Sequence, residues 1–303
     1  MMGAMPPPAL LQRWSSGRPG ALVIALATVL LLGCASPGPL IDNRHHAVGQ
    51  DSRVQFVVLH FTNENLADSL RILTTQAVSA HYLIGDQPTP VIHQLVPEDR
   101  RAWHAGDSAW QGQTALNASA IGIEIVNPGR QQRADGSSAF APFTAAQIEA
   151  LIALLQGIQA RHGVRPDRIV GHSDIAPQRK DDPGPAFPWQ RLAQAGLIAW
   201  PDAAQVAALR AQHQAAPPSI TWVQARLACI GYAVPDTGQL DAATRRVVRA
   251  FQMRYRPGQY DGTPDAETTA LIQAVLQAML QAVPGLAGLP PGAVPSRLSG
   301  GAC

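Results

Sequence analysis

Apolar and polar positions along the chain fall into stretches of two different periods. Residues 54–61 (VQFVVLHF) form a compact apolar run rich in β-branched side chains, which predicts a buried strand with His60 near its end. Asn65 followed by Asp68 is a helix-start signal, and Leu66, Leu70, Leu73 and Ala77 follow at helical spacing. Segments 81–84 and 91–96 read as a strand pair joined by a Gly/Pro turn. Residues 121–126 (IGIEIV) predict a strand with Ile121, Ile123 and Ile125 on one face and Gly122, Glu124 and Val126 on the other. Thr144 and Gln147 form a capping-box pair ahead of an apolar stripe, Ile148, Leu151, Ile152, Leu155 and Ile158, that ends near Gly163. Ile169 and Val170 make a short strand leading into Gly171 and His172.

Strands and helices alternate without a regular repeat, so an α/β fold with a mixed central β-sheet and packed helices is expected over residues 52–202. Residues 203–218 are rich in Ala, Gln and Pro and read as a helical tail or linker. Beyond it, three apolar stripes at helical spacing begin at Ile220, Leu240 and Thr268, which predicts a small three-helix bundle over 219–282. The Gly/Pro-rich residues 283–303 are expected to be disordered.

The N-terminus changes the picture. Residues 21–32 (ALVIALATVLLL) form a charge-free run of 12 residues, short for a membrane-spanning helix and preceded by Arg13 and Arg18. With small residues after it, the run reads as an export signal over 1–33, followed by a polar tether over 34–51. It ends in LLGC, which resembles the lipobox of bacterial lipoproteins and marks Cys34 as the acylated residue. Ala35 rather than Asp after that Cys implies, by the same resemblance, outer-membrane retention facing the periplasm. Removing Arg13 and Arg18 leaves 21 basic and 21 acidic side chains, so the net charge falls from +2 to 0 and gives no electrostatic case for nucleic acid. Cys229 sits among apolar residues and reads as a small buried side chain. Three Cys in all indicate no disulfide framework, although an exported chain would permit one bond.

Residues 171–184 (GHSDIAPQRKDDPG) gather one His, three Asp, one Lys and one Arg, a composition that reads as a loop able to carry a site. Catalytic zinc takes three protein ligands from His nitrogen and carboxylate oxygen and leaves one position open. His172 can supply one, an Asp ten residues on a second, and His60 at a strand end is well placed for a third. Glu124 interrupts an apolar strand, so either that face meets solvent or the carboxylate is held for a task such as taking a proton from a metal-activated water.

Taken together, VVLHFT (57–62), RAWHAG (101–106), IGIEIVN (121–127) and GHSDIAPQRKDDPG (171–184) resemble the zinc amidases of the amidase-2, or peptidoglycan-recognition, superfamily, and within it the AmiD-type lipoprotein amidases. The resemblance implies zinc ligation by His60, His172 and Asp182, a general base at Glu124, and an oxyanion-stabilising cation at Lys180. It implies hydrolysis of the amide between N-acetylmuramic acid and L-alanine, with peptidoglycan or muropeptides as partner and no obligate protein partner. Trp103 and His104 are expected to line the substrate cleft, while His81 and His93 are expected to be structural. The segments 223–232, 237–252 and 261–272 resemble the peptidoglycan-binding domain attached to many wall hydrolases. Every proposed catalytic residue lies before residue 183, so this region is expected to tether substrate without taking part in cleavage. A non-catalytic recognition module would lack a zinc ligand. A glycosidase would need paired carboxylates across a sugar cleft.

Overall fold

The computed structural model describes residues 38–282, so the expected export signal, Cys34 and the tail 283–303 lie outside the described residues. The chain divides into two compact units, Met1–Gln50 and Asp51–Cys303. In the first, residues 38–50 are exposed and carry no regular element. Among the described residues, no helix is long and apolar enough to cross a membrane.

The second unit is built on a five-stranded sheet. Its strands are β1 (Phe56–Phe61), β2 (Tyr82–Ile84), β3 (Ile92–Gln94), β6 (Ala120–Ile125) and β9 (Ile169–Gly171), in spatial order β3-β2-β6-β1-β9. β3 is antiparallel to β2 and the other pairings are parallel, which is the expected mixed sheet. Two hairpins stand apart from it, β4–β5 (Ala109–Trp110, Gln113–Thr114) and β7–β8 (Arg130–Gln132, Ser138–Phe140). Helices α1 (Leu66–Thr75) and α2 (Ala145–His162) start where the caps predict: Asn65 accepts from the Asp68 N–H, and Thr144 and Gln147 form a reciprocal capping box. α2 stops at Gly163, whose φ of 67° suits a residue without Cβ.

The two faces of the sheet have different partners. Val57, Leu59, Ile121, Ile123 and Ile125 pack against the stripe of α2 and against α4 (Trp189–Gln194). Five buried apolar side chains of α2, at roughly 1.5–3 kcal/mol each, outweigh its cap at about 1 kcal/mol. The cap sets where α2 begins, and the packing keeps it there. On the other face, Phe56, Val58, Ala120 and Val170 join a single apolar cluster with α6 (Ile220–Ile230), α7 (Ala242–Tyr255) and α8 (Ala266–Ala282). The segment read as a tail or linker is helix α5 (Ala203–Ala215), started by Asp202 and packed on α8 through Leu209 against Ala270 and Ala274. Cys229 is buried in the shared cluster and is disulfide-bonded.

One structural correction concerns 171–184. Its first part is a helical turn, α3 (His172–Ile175), and all four residues are buried. Charge alone suggested a loop, but a buried carboxylate is tolerated where it is paired and hydrogen-bonded, as Asp174 is.

Strand β2 is fastened to α2 by a polar cluster. Glu98 accepts from Arg161, from the Tyr82 hydroxyl at 2.7 Å and from His162 Nε2 at 2.7 Å, and His162 Nδ1 meets Ser52 Oγ at 2.7 Å. Burial alone would raise the Glu98 carboxyl, but these hydrogen bonds prevail and bring it down to about 2. An unfolded Glu titrates near ~4.3. The cluster's stabilisation is therefore complete above that value and is lost as pH falls from about 4.3 towards 2. Melting temperature recorded from pH 6 to 2.5 should fall less steeply below about pH 4.5 in Glu98→Gln than in the parent. Parallel curves would contradict this.

Candidate metal centre and active site

The site lies at the carboxyl ends of the parallel strands, where open α/β sheets commonly bind ligands. His60 is the fifth residue of β1 and stands in register opposite Glu124 of β6. β9 pairs with β1 as far as Gly171 opposite Leu59, so the chain enters α3 with His172 beside His60. A Cβ at Gly171 would lie 2.7 Å from the ring of Pro183, so the close approach of the 182–183 segment needs glycine there. Asp182 precedes a cis peptide to Pro183, and its carbonyl accepts from the Ser173 N–H at 2.8 Å.

Three donor atoms converge. His60 Nδ1 is 2.9 Å from His172 Nδ1 and 3.0 Å from Asp182 Oδ2, and His172 Nδ1 is 3.1 Å from the same oxygen. All three residues are buried. The outer faces of both rings are also engaged. His172 Nε2 lies 3.2 Å from the Ala105 carbonyl, which can only accept, and a looser 3.4 Å from Arg179 Nη2, which can only donate. With the proton on Nε2 towards Ala105, a neutral ring presents its Nδ1 lone pair to the Asp182 oxygen, acceptor against acceptor. A cation between them removes that repulsion. Tetrahedral zinc with bonds of ~2.0–2.1 Å separates its ligands by roughly 3.3 Å, a few tenths of an ångström wider than the triangle seen here. Two imidazole nitrogens, one carboxylate oxygen and an open fourth side suit that ion.

Electrostatics agree with this donor set. Burial, reinforced by His172, lowers His60 to about 4, so its ring is neutral near pH 7. Burial would raise Asp182, but the two histidines outweigh it and hold the carboxyl well below its usual range. Glu124 is pushed the other way: burial first, then the charge of Asp182, raise it well above an ordinary glutamate, against the pull of Lys180. Glu124 Oε2 is buried without a hydrogen-bond partner.

A cavity of about 630 Å³ opens over these groups, lined by His60, Glu124, His172, Lys180 and Asp182. Trp103 and His104 also line it. Trp103 is 50% exposed, with the Arg101 guanidinium 4.1 Å above its ring. His104 has a second engagement that spacing did not suggest: its Nδ1 is 3.1 Å from His60 Nε2. Its ring lies over Gly122, where a Cβ would come within 2.3 Å of it. The alternation of β6 therefore has a purpose at two successive positions of one face, an empty one at 122 and a carboxylate at 124. His81 lies behind, accepting from the Gly122 N–H through Nδ1 and meeting the Arg100 carbonyl through Nε2. His93 sits on the edge strand β3.

Asp181, the carboxylate most easily confused with the ligand, lies on the cavity wall outside the three-donor cluster and accepts from Arg130 at 3.0 Å. Sequence reasoning passed over Arg130 and Arg179, both on the cavity wall, and Asn117, whose side-chain oxygen accepts from the N–H groups of His104 and Ala105. Arg130 begins a three-residue strand with no readable period. Asn117 sits in a single 3-10 turn, Leu116–Ala118, just after the β4–β5 hairpin, and nothing in its neighbours marks it.

Known proteins align with this arrangement. The family profile described as N-acetylmuramoyl-L-alanine amidase matches residues 50–185, and one described as a putative peptidoglycan binding domain matches 217–272. The N-acetylmuramoyl-L-alanine amidase AmiD of Escherichia coli (strain K12) is 46% identical over 268 residues, covering 83% of this chain and 95% of that protein. The solved structure of the complex of E. coli AmiD with the substrate anhydro-N-acetylmuramic acid-L-Ala-D-gamma-Glu-L-Lys superimposes with a TM-score of 0.70 at 45% identity, covering 79% of this chain and 95% of that one. AmpDh3 from Pseudomonas aeruginosa, in complex with anhydromuramic pentapeptide, gives a TM-score of 0.73 at 39% identity, covering 78% of this chain and 98% of that one. With that identity spread over nearly the whole of its relative, and a His-His-Asp cluster at the strand ends, the chain belongs to the N-acetylmuramoyl-L-alanine amidase family.

Proposed function

We propose that this chain hydrolyses the amide bond between N-acetylmuramic acid, or its 1,6-anhydro form, and the L-alanine of the peptidoglycan stem peptide. The observation that carries the reading is the convergence of His60, His172 and Asp182 beside the partnerless Glu124 in one open cavity. His60, His172 and Asp182 would hold zinc, which when bound lowers the pKa of water and polarises a carbonyl. Glu124, raised by burial and by Asp182, is suited to take a proton and pass it to the leaving nitrogen of L-alanine. Lys180 offers a cation on the cavity wall where negative charge develops on the scissile carbonyl oxygen. Trp103 supplies an exposed ring face for the sugar, and His104 supports His60 from behind while lining the cleft. The amidase domain is taken as 52–202 and the peptidoglycan-binding-like domain as 219–282, joined through 203–218. The lipid anchor on Cys34, and with it outer-membrane placement facing the periplasm, rests on the LLGC run and Ala35.

Metal analysis paired with rates on muropeptides, products identified by mass spectrometry, tests the assignments. His172→Ala should lose zinc and activity together. Glu124→Gln should keep close to one zinc per chain while turnover falls roughly 10²–10⁴-fold. Asp182→Asn should deplete zinc and Asp181→Asn should not. Near-normal turnover in Glu124→Gln, or zinc occupancy controlled by Asp181, would overturn the scheme. The anchor is tested by metabolic labelling with a palmitate analogue, which should mark the parent and not Cys34→Ser; equal labelling of the two would refute it.

A further inference from the structure

Asp174 is the one carboxylate of the 171–184 segment that faces neither the metal triangle nor the cavity. It is 1% exposed and saturated with donors. Its Oδ2 accepts from the Gly171 N–H at 2.8 Å, closing the turn that carries His172, and from Arg254 Nη1 at 2.7 Å. Its Oδ1 accepts from the Tyr232 hydroxyl at 2.7 Å. Tyr232 follows α6 and Arg254 lies in α7, so both belong to the C-terminal helical region. They are 3% and 7% exposed. Arg254 is itself held in place: Nη2 donates to the Ile169 carbonyl of β9 at 3.2 Å, and its guanidinium lies 4.0 Å over the ring of Trp189.

We infer that Tyr232 and Arg254 are positioning residues for the metal centre, acting through Asp174. The turn 171–174 sets two of the three ligands. It carries the His172 side chain, and its Ser173 N–H holds the carbonyl of Asp182 at 2.8 Å. A carboxylate that has both oxygens fixed from the helical region, and that bonds back to the first amide of the turn, transmits the position of that region to His172 and Asp182. Partners of this kind behind a ligand commonly change metal affinity 10–100-fold when removed. The helical region would then do more than tether substrate. It completes the scaffold on which the ligands sit. This inference rests on the zinc reading above.

The test uses the full chain stripped of metal and titrated with zinc alone against a competing chelator. Tyr232→Phe removes one hydrogen bond to Asp174 and leaves the buried ion pair intact, so it is the primary variant. Arg254→Met strands a buried carboxylate and risks unfolding the protein. Tyr232→Phe should weaken zinc binding about tenfold and alter the visible spectrum of the cobalt-substituted protein, while far-UV circular dichroism stays native. Ile272→Val is the comparison, since it trims a buried side chain of α8 in the same apolar cluster without touching Asp174. It should lower the melting temperature with zinc affinity unchanged. In an Asp174→Asn background, Tyr232→Phe should have little further effect on zinc affinity, because the two act along one path. Unchanged affinity in Tyr232→Phe, equal weakening by Ile272→Val, or full additivity with Asp174→Asn would each overturn the inference. A parent protein that takes up no zinc would overturn the zinc reading itself, so the two failures are distinguishable.

Discussion

Parallel pairing of β1 with β6, with His60 opposite Glu124, is the constraint on which the site depends. Side chains alternate across a strand, so a slip of one residue would turn Glu124 into the apolar layer beneath α2 and bring Ile123 or Ile125 to the site. The pattern makes such a slip costly, because three isoleucines on one side of β6 are fully buried against that layer. The apolar face thus sets the register, and the register puts the Glu124 carboxylate beside His60 of the three-donor cluster. Glycine at 122 belongs to the same arrangement. It makes room on the reactive face for the ring of His104, which in turn backs His60.

Much of this was legible in the sequence, because the central elements are long enough to show a period. The run 54–61, the alternation of 121–126 and the stripe of α2 each repeat a pattern over several residues, and their caps use side chains with a known local role. His60, His172, Asp182 and Glu124 could be singled out because their residue types, set in motifs, match a recognisable chemistry, and the fold brings the four to one cavity. What could not be read depends on partners distant in the chain. The hairpins β4–β5 and β7–β8 have strands of two and three residues, too short for any period. The buried turn α3 looked like a loop because its charge is neutralised by an arginine 80 residues further on. The second role of His104 follows from a contact across the sheet, and nothing in RAWHAG announces it.

The same distance explains how the helical region relates to the sheet. Its stripes predict three helices, and three helices form. Those stripes say nothing about which further surface they cover. The apolar cluster takes in Phe56, Val58 and Val170 from the sheet together with Val223, Val247 and Ile272 from the helices, so neither side buries these residues alone. Trp110 of the β4–β5 hairpin lies between them, stacked edge-on against Tyr232 and donating to the carbonyl of Asp167.

The order in which the chain is made then matters. His60 and Glu124 can meet once β6 has emerged, and α2 can cover the first face soon afterwards. The carboxylate of Asp174 waits for Tyr232 and Arg254, so its turn is completed only when the chain has been extended by some 80 residues more. Until then the emerging chain carries all five strands of the sheet while Asp174 lacks the two donors that fix its oxygens from the helical region. Any metal encountered earlier meets a looser set of donors than the one the folded protein presents.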